Sequence, residues 1–423
     1  MYFCKDCGNE FNKWHGKCPM CGEWDTIKTA PGYSISKKEN KKINKNHQEL
    51  SNIFIDDEES GGEEMPCQID EFSRVCKLYK KSVIIIGGEP GIGKSTLMCQ
   101  IASSIQDNVL YLAGEESINS VKNRFQRVSA NMTNVSVVNF SLIEELEKKL
   151  KLKSYGLIIL DSIHTTRSLD LKSIKDIVFD ITLFAKKYNC CVLLVSHITK
   201  DGIIAGPKTL EHMVDVVLYL EGERYGKIRF LRSIKNRFGA TGETGIFEMK
   251  EEGMTEVASP SALMISNRQS NVPGSVIFSG VSGSRSLLIE IQSLVIESFY
   301  PNVECIGCDQ KRVKMIIAIL QRWCQINLQK HEIFVNIVGG MKLYDPATDL
   351  PIAMAILSSF KQRNVSSQVC FFGELGLTGE IRVTPDADMR IKEANRLNFK
   401  KIYANTGDSK DDVRLIADIY KML

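Results

Sequence analysis

The chain has 423 residues, 43% of them hydrophobic and 25% charged, with a formal net charge of +3. That length exceeds one ordinary core and predicts two or three domains, and the composition is that of a soluble globular protein. No apolar run reaches the roughly 18 residues of a membrane span, the first residues lack a signal peptide's apolar segment, and any polyanion contact has to come from local patches.

Four cysteines open the chain as Cys4-Lys5-Asp6-Cys7 and Cys18-Pro19-Met20-Cys21, each pair followed by glycine. Two such knuckles bring four thiolates to tetrahedral geometry, which suits a closed structural Zn²⁺ site. A pair of disulfides is the alternative. Trp14 and Trp24 are expected to cover the knuckles, with base stacking as the competing role. Cys99, Cys190 and Cys191 sit in apolar runs, where reduced cysteine acts as a small hydrophobe, so the expected compartment is reducing and cytoplasmic. A four-cysteine zinc finger is thus expected over 1–30. Residues 31–64, lysine-rich and then acidic, are expected to form a flexible charged linker.

From 65 to 258 apolar runs and helical patterns alternate, which predicts an α/β fold with a mostly parallel sheet flanked by helices. The run 82–86 is a buried strand and 96–105 a helix. Between them stands Gly88-Glu89-Pro90-Gly91-Ile92-Gly93-Lys94-Ser95-Thr96, a G-x-x-x-x-G-K-[ST] phosphate-binding loop in its proper strand-to-helix setting. Its glycines let amides turn toward phosphate oxygens, Lys94 extends to the outer phosphates, and the Ser95 hydroxyl suits Mg²⁺. ATP and Mg²⁺ are the expected ligands.

Further strands are expected at 108–113, 156–161 and 190–196, with helices at 141–151 and 172–187. The third strand of this core ends in Asp161, the place for a carboxylate in the magnesium shell. Glu115, just past the strand 108–113, is the candidate to orient the attacking water, with Glu116 as its rival and helix capping as the bland alternative. His197 ends another strand at the same edge, either as a γ-phosphate sensor or as a hydrogen-bonded structural histidine. The glycine- and lysine-containing loop 200–208 is a candidate DNA contact. The basic strand Arg229–Gly239 is either a solvated face or a cationic finger directed at a neighbour's nucleotide, with Lys235 and Arg237 at its tip. Residues 259–423 form a second folded region, with strands expected at 274–279 and 286–292 and helices at 312–321 and 350–360. Cys305-Ile306-Gly307-Cys308 within it has no further ligands nearby in sequence and is expected to be incidental.

Together the zinc knuckles, Gly87–Thr96, Tyr111–Ser117, Asp161-Ser-Ile163, Ala205-Gly-Pro207, Leu210–Asp215, Lys235-Asn-Arg-Phe-Gly239, Val272–Ser275 and Glu290–Gln292 resemble the RadA (Sms) family. That family comprises bacterial RecA-like ATPases of DNA repair and recombination. The resemblance covers nearly the whole chain. It implies a RecA-like P-loop core, an N-terminal zinc-ribbon-like module and a C-terminal α+β Lon protease-like domain. It further implies a hexameric ring that extends recombination intermediates on single-stranded and branched DNA beside the RecA recombinase, with no membrane association. By the same resemblance Lys94 and Ser95 hold phosphate and Mg²⁺, Asp161 supports the metal and Glu115 activates water. Lys235 and Arg237 would couple ATP to DNA, either within one protomer or across the subunit interface. A DNA-binding scaffold switched by ATP without translocation is the alternative function.

One departure is His164, where the family usually has Gln after Asp-Ser-Ile. The Lon likeness places Ala347 at the catalytic serine and Arg390 at the catalytic lysine. Alanine has no nucleophile and arginine stays protonated, so peptidase activity is expected to be absent. Arg312, Lys314 and Arg382 are candidates for a basic, duplex-facing surface of this domain, with pure ring-building as the alternative.

Overall fold

The computed structural model describes residues 2–4, 10–11, 16–19, 23–29, 62–128, 132–140, 142–167, 173–197, 209–222, 226–269, 272–407 and 412–422. It divides the chain into two units, Met1–Asp57 and Glu58–Leu423. In the first, β1 (Tyr2–Cys4), β2 (Glu10–Phe11) and β3 (Ile27–Thr29) form a small antiparallel sheet with β1 in the centre. Cys4, Cys18 and Ile27 are buried against one another. Trp24 does not cover them: it is 69% exposed, with the Lys17 ammonium 5.7 Å from its ring. Trp14 lies outside the described residues.

The second unit begins with β4 (Glu64–Met65), helix α1 (Asp70–Val75) and β5 (Leu78–Tyr79), the two strands pairing with each other. A nine-stranded sheet follows. Its strands are β6 (Val83–Gly88), β7 (Val109–Ala113), β8 (Val135–Asn139), β9 (Leu157–Asp161), β10 (Cys191–His197), β11 (Val216–Glu221), β12 (Ile228–Asn236), β13 (Thr244–Lys250) and β14 (Gly253–Glu256). The order is β14-β13-β12-β11-β6-β10-β9-β7-β8. From β8 to β11 every pairing is parallel; β12, β13 and β14 extend the sheet antiparallel.

The sequence pattern has a direct cause here. In β6 all six residues are buried, because helices cover both faces of a parallel sheet. Ile84 and Ile86 face one core with helices α2 (Lys94–Ser104) and α3 (Ile118–Val128). Val83 and Ile85 face the other with α4 (Ile143–Leu152), α5 (Ile174–Lys187) and the short α6 (Thr209–Met213). Ser173 starts α5 with a reciprocal capping box to Asp176.

After α7 (Pro260–Ile265) comes a mixed six-stranded sheet of β15 (Ser275–Ser282), β16 (Arg285–Glu297), β17 (Val303–Ile306), β18 (His331–Ile337), β19 (Val369–Phe371) and β22 (Lys401–Tyr403). Its order is β17-β18-β16-β15-β19-β22, and β20 (Glu374–Leu375) with β21 (Ile381–Arg382) makes a separate hairpin. Helices α8 (Gln310–Trp323), α9 (Asp349–Lys361), α10 (Ala387–Arg396) and α11 (Ile416–Met422) pack on the sheet and on one another, giving an α+β arrangement.

The two sheets are joined by buried polar contacts as well as by a shared apolar core that includes Phe230 and Ile246. Glu71 takes a bidentate pair from Arg285 at 2.8 and 3.0 Å and a hydrogen bond from the Ile246 amide at 2.8 Å. Arg74 bridges Glu71 and Glu243, and Glu243 accepts from the Ser284 amide. Among the described residues no helix is long and apolar enough to cross a membrane.

Candidate nucleotide-binding and hydrolysis site

The phosphate loop leaves β6 at Gly88 and enters α2 at Lys94. Gly91 and Gly93 have φ of +80° and +112°, left-handed values that glycine adopts without a Cβ penalty. A Cβ on Gly93 would also lie 2.5 Å from Met254 Cε and 2.6 Å from Met249 Cε, so the loop is backed by the antiparallel extension of the sheet. Lys94 is 6% exposed and donates to the Gly88 and Glu89 carbonyls at 2.8 and 2.9 Å, which curls its ammonium over the loop. Burial pushes its pKa down, against the carboxylates of Asp161 and Glu115, which push it up. The α2 N-terminus carries no side-chain cap, which leaves its first amides for a bound anion.

Strand register brings the carboxylates to the same edge. Asp161 pairs with Ala113 across β9 and β7, so the loop after Ala113 starts beside it. The Tyr111 hydroxyl donates to Asp161 Oδ2 at 2.6 Å, fixing that carboxylate from inside the sheet. Glu115 Oε1 accepts from the Ser162 hydroxyl and from His197 Nε2, the latter at 3.1 Å. Burial acts to raise the Glu115 pKa, but these two hydrogen bonds and the charges of His197 and Lys94 outweigh it and hold the group below the usual carboxylate range. Its Oε2 has no hydrogen bond among the described residues. Glu116 is engaged elsewhere, with Arg124 at 2.6 Å and the Ser120 hydroxyl at 2.6 Å, both side-chain contacts along α3 and neither a cap on its amides.

Behind Glu115 stands a histidine pair. His164 and His197 stack with centroids 5.6 Å apart and planes at 26°. His164 Nε2 accepts from the His197 amide at 3.3 Å and bonds the Ser196 hydroxyl at 3.0 Å. An amide must donate, so His164 Nε2 is an acceptor and its proton sits on Nδ1. Burial, and then the neighbouring His197, hold the His164 pKa below its ordinary value.

Lys235 and Arg237 are not brought to this site. Lys235 pairs with Val217, which pairs with Ile85 at the entering half of β6, whereas the phosphate loop leaves at Gly88. Lys235 donates to the carbonyls of Glu211, His212 and Val214 at 2.9, 3.2 and 2.7 Å, closing the C-terminal end of α6. Arg237 pairs with Asp215 at 3.1 Å, and Asp215 in turn accepts from the Val83 amide. The basic residue of this strand that does touch the site is Arg229, 4% exposed, whose Nε donates to the Ile92 carbonyl at 2.9 Å. Arg229, Tyr111 and Ser162 were missed as site residues. A hydroxyl and a guanidinium inside otherwise apolar strands were the available signal, since each needs a polar partner there.

In the C-terminal sheet region, Asp345 joins the two positions matched to the peptidase dyad. Its Oδ1 accepts from the Ala347 amide at 2.9 Å, and its Oδ2 from Arg390 at 2.7 Å. Arg390 is 2% exposed, also donates to the Ser279 carbonyl, and lies 5.8 and 5.5 Å from the Phe278 and Phe372 rings. Arg312 is bound by Asp349 and Glu374, and Arg382 by Glu380 and Glu374. Those carboxylates neutralise two of the three cations expected on a duplex-facing surface; Lys314 remains exposed. In the N-terminal unit, Cys4 and Cys18 are buried together, as a shared metal site needs, and Cys4 Sγ donates to the Thr26 hydroxyl at 3.2 Å. Cys7, Cys21 and the loop 200–208 lie outside the described residues.

Three family descriptions match the chain: "Rubredoxin metal binding domain" over residues 2–29, "AAA domain" over 74–202 and "Subunit ChlI of Mg-chelatase" over 304–406. The DNA repair protein RadA of Aquifex aeolicus is 40% identical over 95% of this chain and 92% of its own length. The chain belongs to the DNA repair protein RadA family. RadA of Bacillus subtilis is 37% identical over 95% of this chain and 91% of its own. RadA of Campylobacter jejuni is 39% identical over 95% and 92%. Among solved structures, the chain is similar to a KaiC-like protein from Pyrococcus horikoshii, at 14% identity with TM-score 0.37, over 43% of this chain and 91% of that one. It is also similar to the flagellar accessory protein FlaH from Methanocaldococcus jannaschii, at 13% identity with TM-score 0.39, over 47% and 99%. The RadA relatives and the "AAA domain" match agree with the α/β P-loop architecture described above, and the "Rubredoxin metal binding domain" match covers the small N-terminal sheet.

Proposed function

We propose that this chain is a DNA-dependent ATPase of homologous recombination and DNA repair. In this reading it works as a hexameric, helicase-like motor that extends single-stranded and branched recombination intermediates with the RecA recombinase in the cytoplasm. Residues 65–258 are the ATPase domain, 259–423 a Lon protease-like domain without peptidase activity, 1–30 a zinc finger and 31–64 its tether. The observation that carries the reading is the convergence at one sheet edge of Lys94, Asp161 and Glu115, with Glu115 ionised, oriented by Ser162 and His197, and with Oε2 left for a water.

Gly88 to Thr96 would cradle the phosphates, with Lys94 leaving its carbonyl partners for the outer phosphate oxygens. Ser95 and Asp161 would hold Mg²⁺, which when bound neutralises charge on the β- and γ-phosphate oxygens. Glu115 would align and deprotonate the attacking water. Lys235 and Arg237, remote from their own phosphate loop, suit a role on a neighbouring protomer's nucleotide. The four cysteines Cys4, Cys7, Cys18 and Cys21 would hold a structural Zn²⁺.

Steady-state ATP hydrolysis with and without single-stranded DNA tests this. Turnover should rise severalfold with DNA and vanish in Lys94→Ala, and Glu115→Gln should bind ATP but lose on the order of a hundredfold or more in turnover. DNA binding with flat, negligible turnover would instead establish the scaffold switched by ATP.

A further inference from the structure

The hydroxyl that meets Asp161 comes from a residue with no surface of its own. Tyr111 is 0% exposed in the middle of β7, and its ring packs edge-on against Phe125 of α3 with centroids 5.7 Å apart. β7 and β9 run parallel, with Tyr111 opposite Ile159 and Ala113 opposite Asp161. Side chains two apart on a strand share a face, so Tyr111 and Asp161 stand diagonally on the face that α2 covers. The tyrosine spans that diagonal, and its hydroxyl donates to Asp161 Oδ2 at 2.6 Å. Burying a hydroxyl is costly unless it is paired, and phenylalanine would fill almost the same space without that demand. Packing alone therefore does not account for the oxygen.

We propose that Tyr111 is a positioning residue for the metal ligand, holding Asp161 so that one carboxylate oxygen, Oδ1, is presented to the magnesium shell. This rests on the reading of Asp161 as the metal's carboxylate. Oδ1 takes no hydrogen bond among the described residues, and neither does the Ser95 hydroxyl in the first turn of α2. Two unengaged oxygen donors of this kind fit Mg²⁺, a hard cation. An aspartate at a strand end can otherwise turn about its side-chain bonds and exchange its two oxygens. Mg²⁺ demands near-octahedral geometry, so a ligand held in one orientation binds it better than one that must first be ordered.

The same strand also grips the backbone of Asp161. The Gly114 amide donates to the Asp161 carbonyl at 2.7 Å, and Glu115 follows directly. A Cβ on Gly114 would stand 2.2 Å from Thr165 Oγ1, so glycine is what lets the chain close on Asp161 here. Tyr111 thus fixes the carboxylate and Gly114 the main chain. Both come from β7, which runs on into the glutamate that addresses the water. The metal ligand and the water-activating group are therefore referenced to one strand, and Tyr111 is the side chain that extends this reference to the metal.

The test uses Mn²⁺ in place of Mg²⁺, titrated into full-length Tyr111→Phe carrying a non-hydrolysable ATP analogue and read as loss of the free-ion EPR signal. Removing the partner of a metal ligand should weaken Mn²⁺ binding by about 10- to 100-fold. Affinity for a fluorescent ADP analogue in EDTA should be unchanged, which also reports that the variant is folded. Turnover lost at low Mg²⁺ should return as Mg²⁺ is raised, a rescue that a packing defect would not show. Asp161→Asn is measured beside it. Wild-type Mn²⁺ affinity in Tyr111→Phe, with binding lost in Asp161→Asn, overturns the proposal and leaves the metal assignment standing. Wild-type affinity in Asp161→Asn removes that assignment and the proposal with it. A fall in metal-free ADP affinity that matches the fall for Mn²⁺ makes Tyr111 a packing residue and also overturns the proposal.

Discussion

His164 makes no contact with Glu115, yet the orientation of that carboxylate passes through it. His164 Nε2 fixes the backbone amide of His197 and engages Ser196, and His197 Nε2 holds Glu115 Oε1. His164→Ala removes two hydrogen bonds, each worth about 0.5–1.5 kcal/mol net, so His197 placement weakens by about 1–3 kcal/mol. If most of that is felt when Glu115 aligns water, turnover falls by about five- to a hundredfold, with KM for ATP unchanged because Lys94 and the loop amides are untouched. His164→Gln can supply an acceptor at the same place and should retain most of the rate.

The pH profile separates positioning from packing. Only neutral His164 can accept at Nε2, and its pKa is held below 6.5, so activity should be flat through neutrality and fall on the acid side. In His164→Gln that acid limb should shift, whereas a purely structural histidine would leave the profile in place. The assay is steady-state ATP hydrolysis from about pH 5.5 to about 8.5 with DNA saturating. Equal kcat in wild type and His164→Ala, with Glu115→Gln inactive, would refute the relay while leaving the hydrolysis reading intact.

Glu71 knits the two sheets, and Glu71→Ala strands Arg285, Arg74 and the Ile246 amide. With both arginines about a quarter exposed, the cost should be about 2–4 kcal/mol in urea unfolding. The folded-state pKa of Glu71 is lowered, because the Arg285 and Ile246 hydrogen bonds outweigh burial; its contribution is therefore present above the unfolded value and lost as pH falls through the folded one. The gap between wild type and Glu71→Gln should close below about pH 4 and be full at neutral pH. Arg390→Met leaves the half-buried Asp345 without its cation and should destabilise by about 1.5–3 kcal/mol, and casein should remain uncut by wild type with ATP. A Cys4→Ser, Cys7→Ser variant should purify without the roughly one zinc per chain expected of wild type; full retention of zinc overturns the metal assignment. Mixing Lys94→Ala with Lys235→Ala subunits should restore part of the ATPase activity if Lys235 acts on a neighbour, and none if it only caps α6.

Much of the site's position was legible because local chemistry allows few alternatives. A buried β-branched run, a glycine loop, Lys94-Ser95 and an apolar helix have a single geometry in common, Asp161 closes one strand, and Glu115 follows two residues after another that the sheet aligns with it. The rivalry of Glu115 and Glu116 was legible, but telling them apart needed the structure, since only packing shows Arg124 claiming Glu116. The antiparallel strands β13 and β14 were illegible as an extension of the sheet. Their residues are few and mixed in character, and their pairing is set by partners far along the chain.

The sequence by itself determined the phosphate-loop motif, the two C-x-x-C spacings, the α/β core and the absence of a nucleophile at Ala347, because each depends on residue type and near neighbours. Tertiary structure alone decided what Lys235, Arg229 and Arg390 touch. A long cation in a strand or helix is compatible with solvent, a distant ligand or a local carbonyl, and only long-range register selects among them. Register set Lys235 over the end of α6 and Arg229 against the phosphate loop, helix packing set Arg390 against Asp345, and the fold stacked His164 on His197.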